Sequence, residues 1–292
     1  MRTFLINLAR RSDRFSAMAV QLNDLGLDFQ RVVAFDADCI SDTWLAQYFR
    51  DKGPLGALAK GDQCCALSHR KAWSTFLSTG APYGVVMEDD VALDPAAGEL
   101  LKRDDWIPPG VDLLKLEHFG PPGQRVLLGR PTPIEGGRSV AEIHSRHTGA
   151  GAYAVSRAAA QLLLAADAPW TVSVDHLLFN PNVSPLAGRL RAHQLLPVIA
   201  RQTPAVGGAS DIGLYRAAQR RLGLKFLMRE VRRGYYEIRL LPRQIARVLT
   251  GEGSLARVQN EALTLASDHF AALYAPVPVA DGGAPRRLAR PP

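Results

Sequence analysis

Cysteine is scarce in this chain of 292 residues, which contains only Cys39, Cys64 and Cys65. Three cysteines cannot build the disulfide framework of a small secreted domain, and the adjacent pair does not have the spacing of zinc ligands. This usage indicates a protein of a reducing compartment. The sequence also lacks internal repeats, which argues against solenoid and propeller architectures.

Long apolar runs are absent as well. No run approaches the ~18 residues of a membrane-spanning helix. The apolar stretch at the start is too short for a signal peptide and is interrupted by Asn7. We therefore expect a cytoplasmic protein, either free or peripheral on a membrane. The hydrophobic fraction of 47% is ordinary for a folded chain and excludes wholesale disorder.

Acidic residues are scarce in one segment. Residues 216–247 carry ten Arg or Lys residues against two Glu residues, a net charge of +8, whereas the whole chain carries +7. Apolar residues interleave with these arginines, a pattern typical of a basic amphipathic helix that binds an anionic membrane surface. A solvated helix packed on the domain is the alternative. Nucleic-acid binding is a third interpretation, but no nucleic-acid-binding motif accompanies the charge, so no nucleic acid is expected as partner.

The amino-terminal part has the pattern of an α/β domain. A strand is predicted at 2–8, a helix from Ser12 to Gly26, and a second strand at 29–33. This order predicts a parallel sheet with a right-handed crossover. Further strands are predicted at 85–91, 111–116 and 191–196, and further helices at 61–77 and 156–166.

The remaining segments differ in composition. Residues 121–137 are rich in Pro and Gly and are predicted to form a surface loop. We expect an α/β domain at 1–208, a basic helical appendage at 209–275 and a disordered tail at 276–292.

Three consecutive carboxylates, Glu88, Asp89 and Asp90, follow the apolar run 85–87. Unpaired charge is too costly to bury, so these acids are expected at the rim of the sheet, where ligands bind in open α/β folds. Mg²⁺ and Mn²⁺ prefer carboxylate oxygens and leave positions open for substrate phosphates. The motif therefore predicts a metal–diphosphate site. A solvated acidic turn is the alternative.

Polar residues also follow the first two predicted strands. Asn7, Leu8, Arg10 and Arg14 come after the first strand, and Asp36 comes after the second. An arginine at this edge could bind a phosphate through two hydrogen bonds, and Asp36 could accept hydrogen bonds from ribose hydroxyls. The alternatives are solvated residues at a helix start and a turn carboxylate.

Four blocks of sequence follow one another along the chain. They are 6–14, 61–73 with Ser68 and His69, 85–91 with the three acids, and 148–156 followed by Val174-Asp175-His176. In this order the blocks resemble glycosyltransferase family 25, the lipooligosaccharide and lipopolysaccharide core glycosyltransferases, which include β-galactosyltransferases. The chain departs from the family pattern at Asp62-Gln63-Cys64-Cys65, where the family tends to have Glu-Ile-Gly-Cys.

The resemblance implies a GT-A-like (Rossmann-like) fold with a mixed, mostly parallel sheet flanked by helices, an inverting mechanism and a UDP-sugar donor. It also favours His69 as a donor-site residue over a structural histidine. Alternation along a strand places Glu88 and Asp90 on one side. We expect Asp90 to bind the metal directly and Glu88 to contact the ribose or the metal, with Asp89 as a further candidate.

Inverting transfer also needs a base that removes the proton of the acceptor hydroxyl. Asp175 is the first candidate, and its structural alternative is a helix N-cap. Glu117, which follows the predicted strand 111–116, is the second candidate.

These features together predict a hexosyltransferase assisted by Mn²⁺ or Mg²⁺ at the cytoplasmic face of a bacterial inner membrane. It would move a hexose, most plausibly galactose, from a UDP-sugar to a lipooligosaccharide or related glycolipid or oligosaccharide acceptor. The basic helix 216–247 would contact the membrane surface. The alternatives are a non-catalytic relative that binds nucleotide sugars, and a basic module that binds nucleic acid or membranes.

Overall fold

Short apolar strands alternate with amphipathic helices along most of the chain. A computed structural model describes residues 1–120, 124–166, 170–203 and 224–258. The strands in these residues are β1 (Arg2–Asn7), β2 (Phe29–Val33), β3 (Tyr83–Glu88), β4 (Val91–Leu93), β5 (Leu113–Lys115), β6 (Arg125–Gly129), β7 (Thr132–Pro133), β8 (Ser139–Glu142), β9 (Ala152–Ser156), β10 (Ala192–Leu196), β11 (Ala200–Gln202) and β12 (Gly253–Arg257). The helices are α1 (Ser12–Asp24), α2 (Asp42–Leu45), α3 (Lys60–Leu77), α4 (Ala97–Leu100), α5 (Arg157–Ala165), α6 (Val174–Phe179) and α7 (Leu224–Leu249).

The central sheet has eight strands in the order β2-β1-β3-β9-β5-β10-β8-β7. β1 is parallel to both β2 and β3, and β5 is parallel to β10. β9 runs against its neighbours β3 and β5, and β8 runs against β10 and β7. Within this eight-stranded sheet, all strands except β8 and β9 therefore point the same way. This mixed, mostly parallel sheet confirms the predicted α/β fold class of the GT-A-like type.

Both faces of the sheet are buried because successive side chains point to opposite faces. On β3, Val86 belongs to a core that includes residues of α3, α5 and α6. Its neighbours Val85 and Met87 belong to a second core, which includes residues of α1 and α4. The apolar character of β3 on both faces is what two layers of helices require.

Two predicted boundaries are wrong. The acidic motif does not continue one strand through to Val91: β3 ends at Glu88, a turn follows, and β4 pairs with β11. The surface loop predicted at 121–137 contains β6 and β7. β6 pairs with β12, a partner so distant in sequence that no local pattern around 125–129 reveals it.

The carboxyl-terminal segment forms a long helix followed by a strand. The predicted basic helix is confirmed over α7, which ends at Leu249 as expected. The expected boundary at 208, the start of the basic segment and the tail at 276–292 lie outside the described residues. Among the helices that the structure describes, none combines the length and apolar character needed to cross a membrane.

Candidate functional site

A cleft lies at the carboxyl edge of β1, β2 and β3, beside the first half of α3. Parallel strands end at the same edge, and the register pairs Ile6 of β1 with Glu88 of β3. Asn7 is therefore adjacent to the acidic turn. Polar residues that line the cleft are Asn7, Arg10, Arg14, Asp36, Cys64, Cys65, Ser68, Glu88, Asp89 and Asp90, and Leu8 and Phe35 are among its apolar residues.

Most of the predicted donor-site residues thus share one cleft. His69 lies behind its wall and is fully buried. The two candidate bases, Asp175 and Glu117, are not among the residues that line the cleft.

The side chain of Asp89 is held by residues at the end of β1 and in the helix α1 that follows it. Asn7 donates a hydrogen bond of 2.6 Å to its Oδ2, and Arg14 forms an ion pair of 3.2 Å with its Oδ1. Arg31 of β2 in turn donates to the Asn7 side-chain oxygen. Burial raises the pKa of Asp89, although Asn7 and Arg14 act in the opposite direction. Both carboxylate oxygens are engaged with protein, so Asp89 fixes the turn.

Glu88 ends a buried chain of hydrogen bonds. Trp73 donates to the Tyr153 hydroxyl at 2.8 Å, that hydroxyl lies 2.9 Å from His69 Nδ1, and His69 Nε2 lies 3.1 Å from Glu88 Oε1. A carboxylate accepts only, so Nε2 of His69 carries the proton of the hydrogen bond to Glu88. We call Trp73, Tyr153 and His69 the relay.

The relay keeps Glu88 ionised. Burial alone acts to raise the pKa of Glu88, but the hydrogen bond and charge of His69 outweigh it, and the pKa lies below its ordinary value. Burial and the Glu88 charge hold the pKa of Cys65 well above the usual range, so Cys65 is a thiol. Its Sγ lies 3.4 Å from the same Glu88 oxygen.

Cys65, His69 and Glu88 bring three ligand-type atoms within 4.8 Å of one another. Metal binding there would need a thiolate and a free imidazole nitrogen. The Cys65 thiol instead contacts Glu88, and both ring nitrogens of His69 are engaged, by Tyr153 and by Glu88. This cluster is therefore a hydrogen-bonded wall of the cleft.

Asp90 differs from its two neighbours. Its Oδ1 is buried and has no hydrogen-bond partner among the residues that the structure describes. Burial, followed by the charges of Glu88 and Asp89, raises the pKa of Asp90 well above the usual range. The Asp90 backbone carbonyl accepts two hydrogen bonds from Thr203, at 2.8 and 3.0 Å, which fix the turn.

A divalent cation fits this arrangement. It would give the unpartnered oxygen a ligand and offset the repulsion among three carboxylates. The donor set, carboxylate oxygen without thiolate or free imidazole, suits Mg²⁺ or Mn²⁺. Asp90 could hold such an ion, with the Oε2 of Glu88 as the second oxygen, because that atom has only a long contact of 3.3 Å, from Gln202.

The far side of the cleft is formed by the segment after β2. Arg10 forms an ion pair of 2.7 Å with Asp36. Ser68 accepts a hydrogen bond from the Phe35 amide at 2.9 Å, which pins this segment to α3. The Phe35 ring packs beside Trp44, with ring centroids 5.7 Å apart. This side therefore offers an apolar ring next to a carboxylate, a pairing suited to a nucleoside.

Glu117 lies in a sealed cluster. It and Lys115 are fully buried and form an ion pair of 3.3 Å. The Lys115 ammonium also donates to the carbonyls of Thr148 and Gly149, so its three N–H groups have acceptors. Glu117 Oε1 accepts from the Gly151 amide at 2.8 Å, while Oε2 has no partner. Burial raises the pKa of Glu117 and lowers that of Lys115, and the charge of each opposes the shift of the other.

Asp175 lies in the first turn of α6 and is half-buried. Its Oδ1 accepts hydrogen bonds from the Ser173 hydroxyl and from the His176 amide, at 2.5 and 2.9 Å. Its charge acts to raise the pKa of Cys65 and of Lys115, which places it near the cleft wall and the sealed cluster. Asp175 is the second residue of α6 and not its N-cap, which is Ser173, so the alternative of a capping role is wrong.

Three contributors to this edge escape sequence reasoning. Tyr153 reads as an interior strand residue, and Arg31 as an ordinary polar position of a strand. Gln202 contacts Glu88 across 114 residues of sequence, without a local signal. Gly151 marks its position, because a Cβ there would lie 2.5 Å from the Gln202 side chain.

The mixed sheet and the acidic cleft at its edge are the features of a GT-A-like glycosyltransferase. The family model described as "Glycosyltransferase family 25 (LPS biosynthesis protein)" matches residues 1–178. The match covers more than half of the sequence, and the chain belongs to this family.

The relatives of this chain include two lipooligosaccharide biosynthesis proteins of Haemophilus influenzae. The lipooligosaccharide biosynthesis protein lex-1 is 28% identical over 178 residues, which cover 56% of this chain and 57% of the relative. The lipooligosaccharide biosynthesis protein lic2B is 28% identical over 132 residues, which cover 42% of this chain and 49% of the relative. The chain thus spans only about half the length of these relatives.

Among solved structures, one match is a glycosyltransferase involved in the glycosylation of the major capsid of PBCV-1. It is 11% identical, with a TM-score of 0.39, and the match covers 75% of this chain and 98% of that one.

Proposed function

We propose that this protein transfers a hexose, galactose in the first instance, from a UDP-sugar to a lipooligosaccharide or related glycan acceptor, with inversion and with Mn²⁺ or Mg²⁺. The observation that carries this proposal is the buried Oδ1 of Asp90, which has no partner among the described residues and belongs to the cleft at the sheet edge. Family membership and the names of the bacterial relatives support the reaction class and the acceptor class. The acceptor class favours an enzyme that works in the cytoplasm beside the inner membrane.

The donor diphosphate would lie against the acidic turn. Asp90 and Glu88 would hold the cation, which supplies positive charge to the departing nucleoside diphosphate. Arg14, anchored by Asp89, is placed to meet the phosphates from the other side. This division of roles leaves Asp89 as the residue that fixes the turn.

The nucleoside would lie on the far side of the cleft. Phe35 offers an apolar ring for the base, and Asp36, held by Arg10, offers an acceptor for ribose hydroxyls. His69 acts through Glu88, because its ring is fully buried and cannot reach the donor.

The base must reach the proton of an acceptor hydroxyl. Asp175 is half-buried, whereas Glu117 is fully buried with one oxygen bound to the Gly151 amide. Access therefore favours Asp175 as the base. Glu117 instead supports the backbone between Thr148 and Gly151.

Two matched variants test the assignment. Asp175→Asn should lose turnover by at least about 100-fold while UDP with Mn²⁺ still raises the melting temperature. Glu117→Gln should keep most of its turnover per folded molecule. The reverse pattern would exchange the two roles. The proposed donor site would be refuted if no nucleotide or nucleotide sugar, with or without Mn²⁺, changed the melting temperature of the wild-type protein.

A further inference from the structure

Helix α7 is attached to the domain by one side. The Arg247 guanidinium lies 2.7 Å from a ring nitrogen of His144, and Glu237 forms an ion pair of 3.0 Å with Arg146. Gln244 donates to the backbone carbonyl of His144. The strand that follows, β12, pairs along its whole length with β6. These contacts define which side of α7 faces away from the domain.

The side that faces away is apolar. Of the twelve large hydrophobic residues that are exposed in the described part of the chain, eight lie on α7. From Met228 to Val248 they recur at intervals of three and four, which puts them on one face of a helix, and Leu249 follows directly at its end. They are Met228, Val231, Tyr235, Ile238, Leu241, Ile245, Val248 and Leu249, with exposed fractions of 47–81%. We call these eight residues the outer face.

Basic residues border the outer face. Arg232, Arg239 and Arg243 are exposed and are spaced by seven and four residues, so they form a row along one side of it. Arg239 lies over the Tyr235 ring at 5.9 Å. The two glutamates of α7 are engaged in ion pairs, Glu230 with Arg233 and Glu237 with Arg146 and Arg233. The outer face and its border therefore combine apolar surface with positive charge.

We propose that α7 lies in the plane of an anionic lipid surface, with the outer face inserted among the acyl chains and the arginine row at the level of the headgroups. This geometry is that of an interfacial amphipathic helix, and each arginine near an anionic surface adds attraction. A second copy of this chain fits less well, because it would bring another arginine row and no row of free carboxylates. α7 lies beyond the segment that matches the family model.

Lipid binding by the outer face is a property separate from glycosyl transfer. It assigns the membrane contact expected from composition to one defined face of α7. Its test measures binding, so its outcome does not depend on whether the chain is an active transferase.

The test is sedimentation of the full chain with vesicles of phosphatidylcholine alone or mixed with phosphatidylglycerol. We expect strong binding only to the anionic vesicles. Arg239→Gln with Arg243→Gln should lower the partition coefficient by roughly 30-fold, since each arginine contributes about 1 kcal/mol. Val231→Asn with Ile238→Asn, which keeps the charge, should also lower it. The matched control is Arg2→Gln with Arg189→Gln, which removes two exposed arginines elsewhere and should change binding little.

Circular dichroism of each variant checks that α7 is retained. Equal loss of binding in the control pair, or equal binding to both kinds of vesicle, would overturn the proposal. So would a dimer in light scattering that Val231→Asn with Ile238→Asn dissociates, or retention on DNA by a chain that does not bind anionic vesicles.

Discussion

Two neighbouring parts of one sheet edge hold ionisable side chains, and they use them differently. At the ends of β1 and β3, Glu88, Asp89 and Asp90 surround an open cleft, and Asp90 keeps a carboxylate oxygen without a partner. Beyond the end of β5, Lys115 and Glu117 are closed off from solvent and pair with each other. The first part is arranged for a ligand, and the second for the backbone that supports it.

The sealed part continues into two histidines. Burial, together with the Lys115 charge, lowers the pKa of His118 to about 4. Burial and the charges of Lys115 and His118 hold the pKa of His147 well below its usual range. Both rings are therefore neutral at physiological pH. Glu117 also has one oxygen without a partner among the described residues, but it does not line the cleft. An acid at a strand end therefore indicates a ligand site only where its unsatisfied oxygen belongs to an open cleft.

The largest expected effect is in the sealed part. Lys115→Met should lower the free energy of unfolding by about 3–5 kcal/mol, because it leaves Glu117 as an uncompensated buried charge. Urea denaturation measures this loss. Adding Glu117→Gln to the same chain should recover a substantial part of it, since the unpaired charge is then gone.

The exposed ion pair of Arg103 and Asp105 supplies the control. Arg103→Met should change the free energy of unfolding little, because water solvates both charges. A Lys115→Met chain as stable as this control would erase the contrast between the two parts of the edge.

In the cleft, Asp90→Asn should reduce transfer by at least about 100-fold, or about 2.7 kcal/mol in the barrier, without loss of stability. Because the folded pKa of Asp90 lies above the unfolded value of 3.8, the native state binds the proton more tightly. The contribution of this group to stability therefore falls as pH rises from about 4 through the folded pKa. The Asp90→Asn substitution should remove this decline of stability with rising pH.

Melting temperatures measured across pH, with and without Mn²⁺, check this prediction. Mn²⁺ should raise the melting temperature of the wild type, more at higher pH, and should leave Asp90→Asn unchanged. Asp38→Asn, an exposed carboxylate at the rim, is the control and should behave like the wild type. An Asp90→Asn enzyme with normal metal-dependent activity would remove the distinction drawn between Asp90 and Asp89.

The smallest expected effect comes from the relay. Tyr153→Phe removes the hydroxyl between Trp73 and His69 and should cost about 1 kcal/mol of stability. It also removes the hydrogen-bond partner of His69 Nδ1, which holds the ring against Glu88. The pKa of Glu88 should therefore rise, and the pH dependence of Mn²⁺ binding should move upward. Tyr83→Phe removes a hydroxyl that donates to the Val111 carbonyl at 2.6 Å and serves as the matched control. Equal pH profiles in the two variants would reduce the relay to ordinary core packing.

The sequence allows much of the fold to be predicted, because its signals are local. Glycine and capping residues mark helix ends: the helix predicted at 156–166 begins with Ser156, whose hydroxyl accepts from the Ala159 amide and caps α5. The apolar run of β3 identifies a strand buried on both faces. β6 could not be found in this way, because its pairing depends on β12 about 120 residues later.

The same distinction between local and long-range signals applies to the candidate site. Its residues at the ends of β1, β2 and β3 were predictable, since parallel strands end at one edge. Their separate roles were not. Whether Asp89 or Asp90 keeps a free oxygen depends on Asn7, Arg14 and Thr203, which reach the turn only after folding.

The contacts of β11 also bear on the order in which a newly made chain becomes competent. Gln202 and Thr203 reach Glu88 and Asp90 across more than 110 positions of sequence. When the ribosome has synthesised the chain up to residue 178, where the match to the family model ends, it has not yet added Gln202 and Thr203. The acidic turn therefore emerges early in synthesis and receives its last supports late, so a nascent chain would carry a complete set of motifs before it carries a complete site.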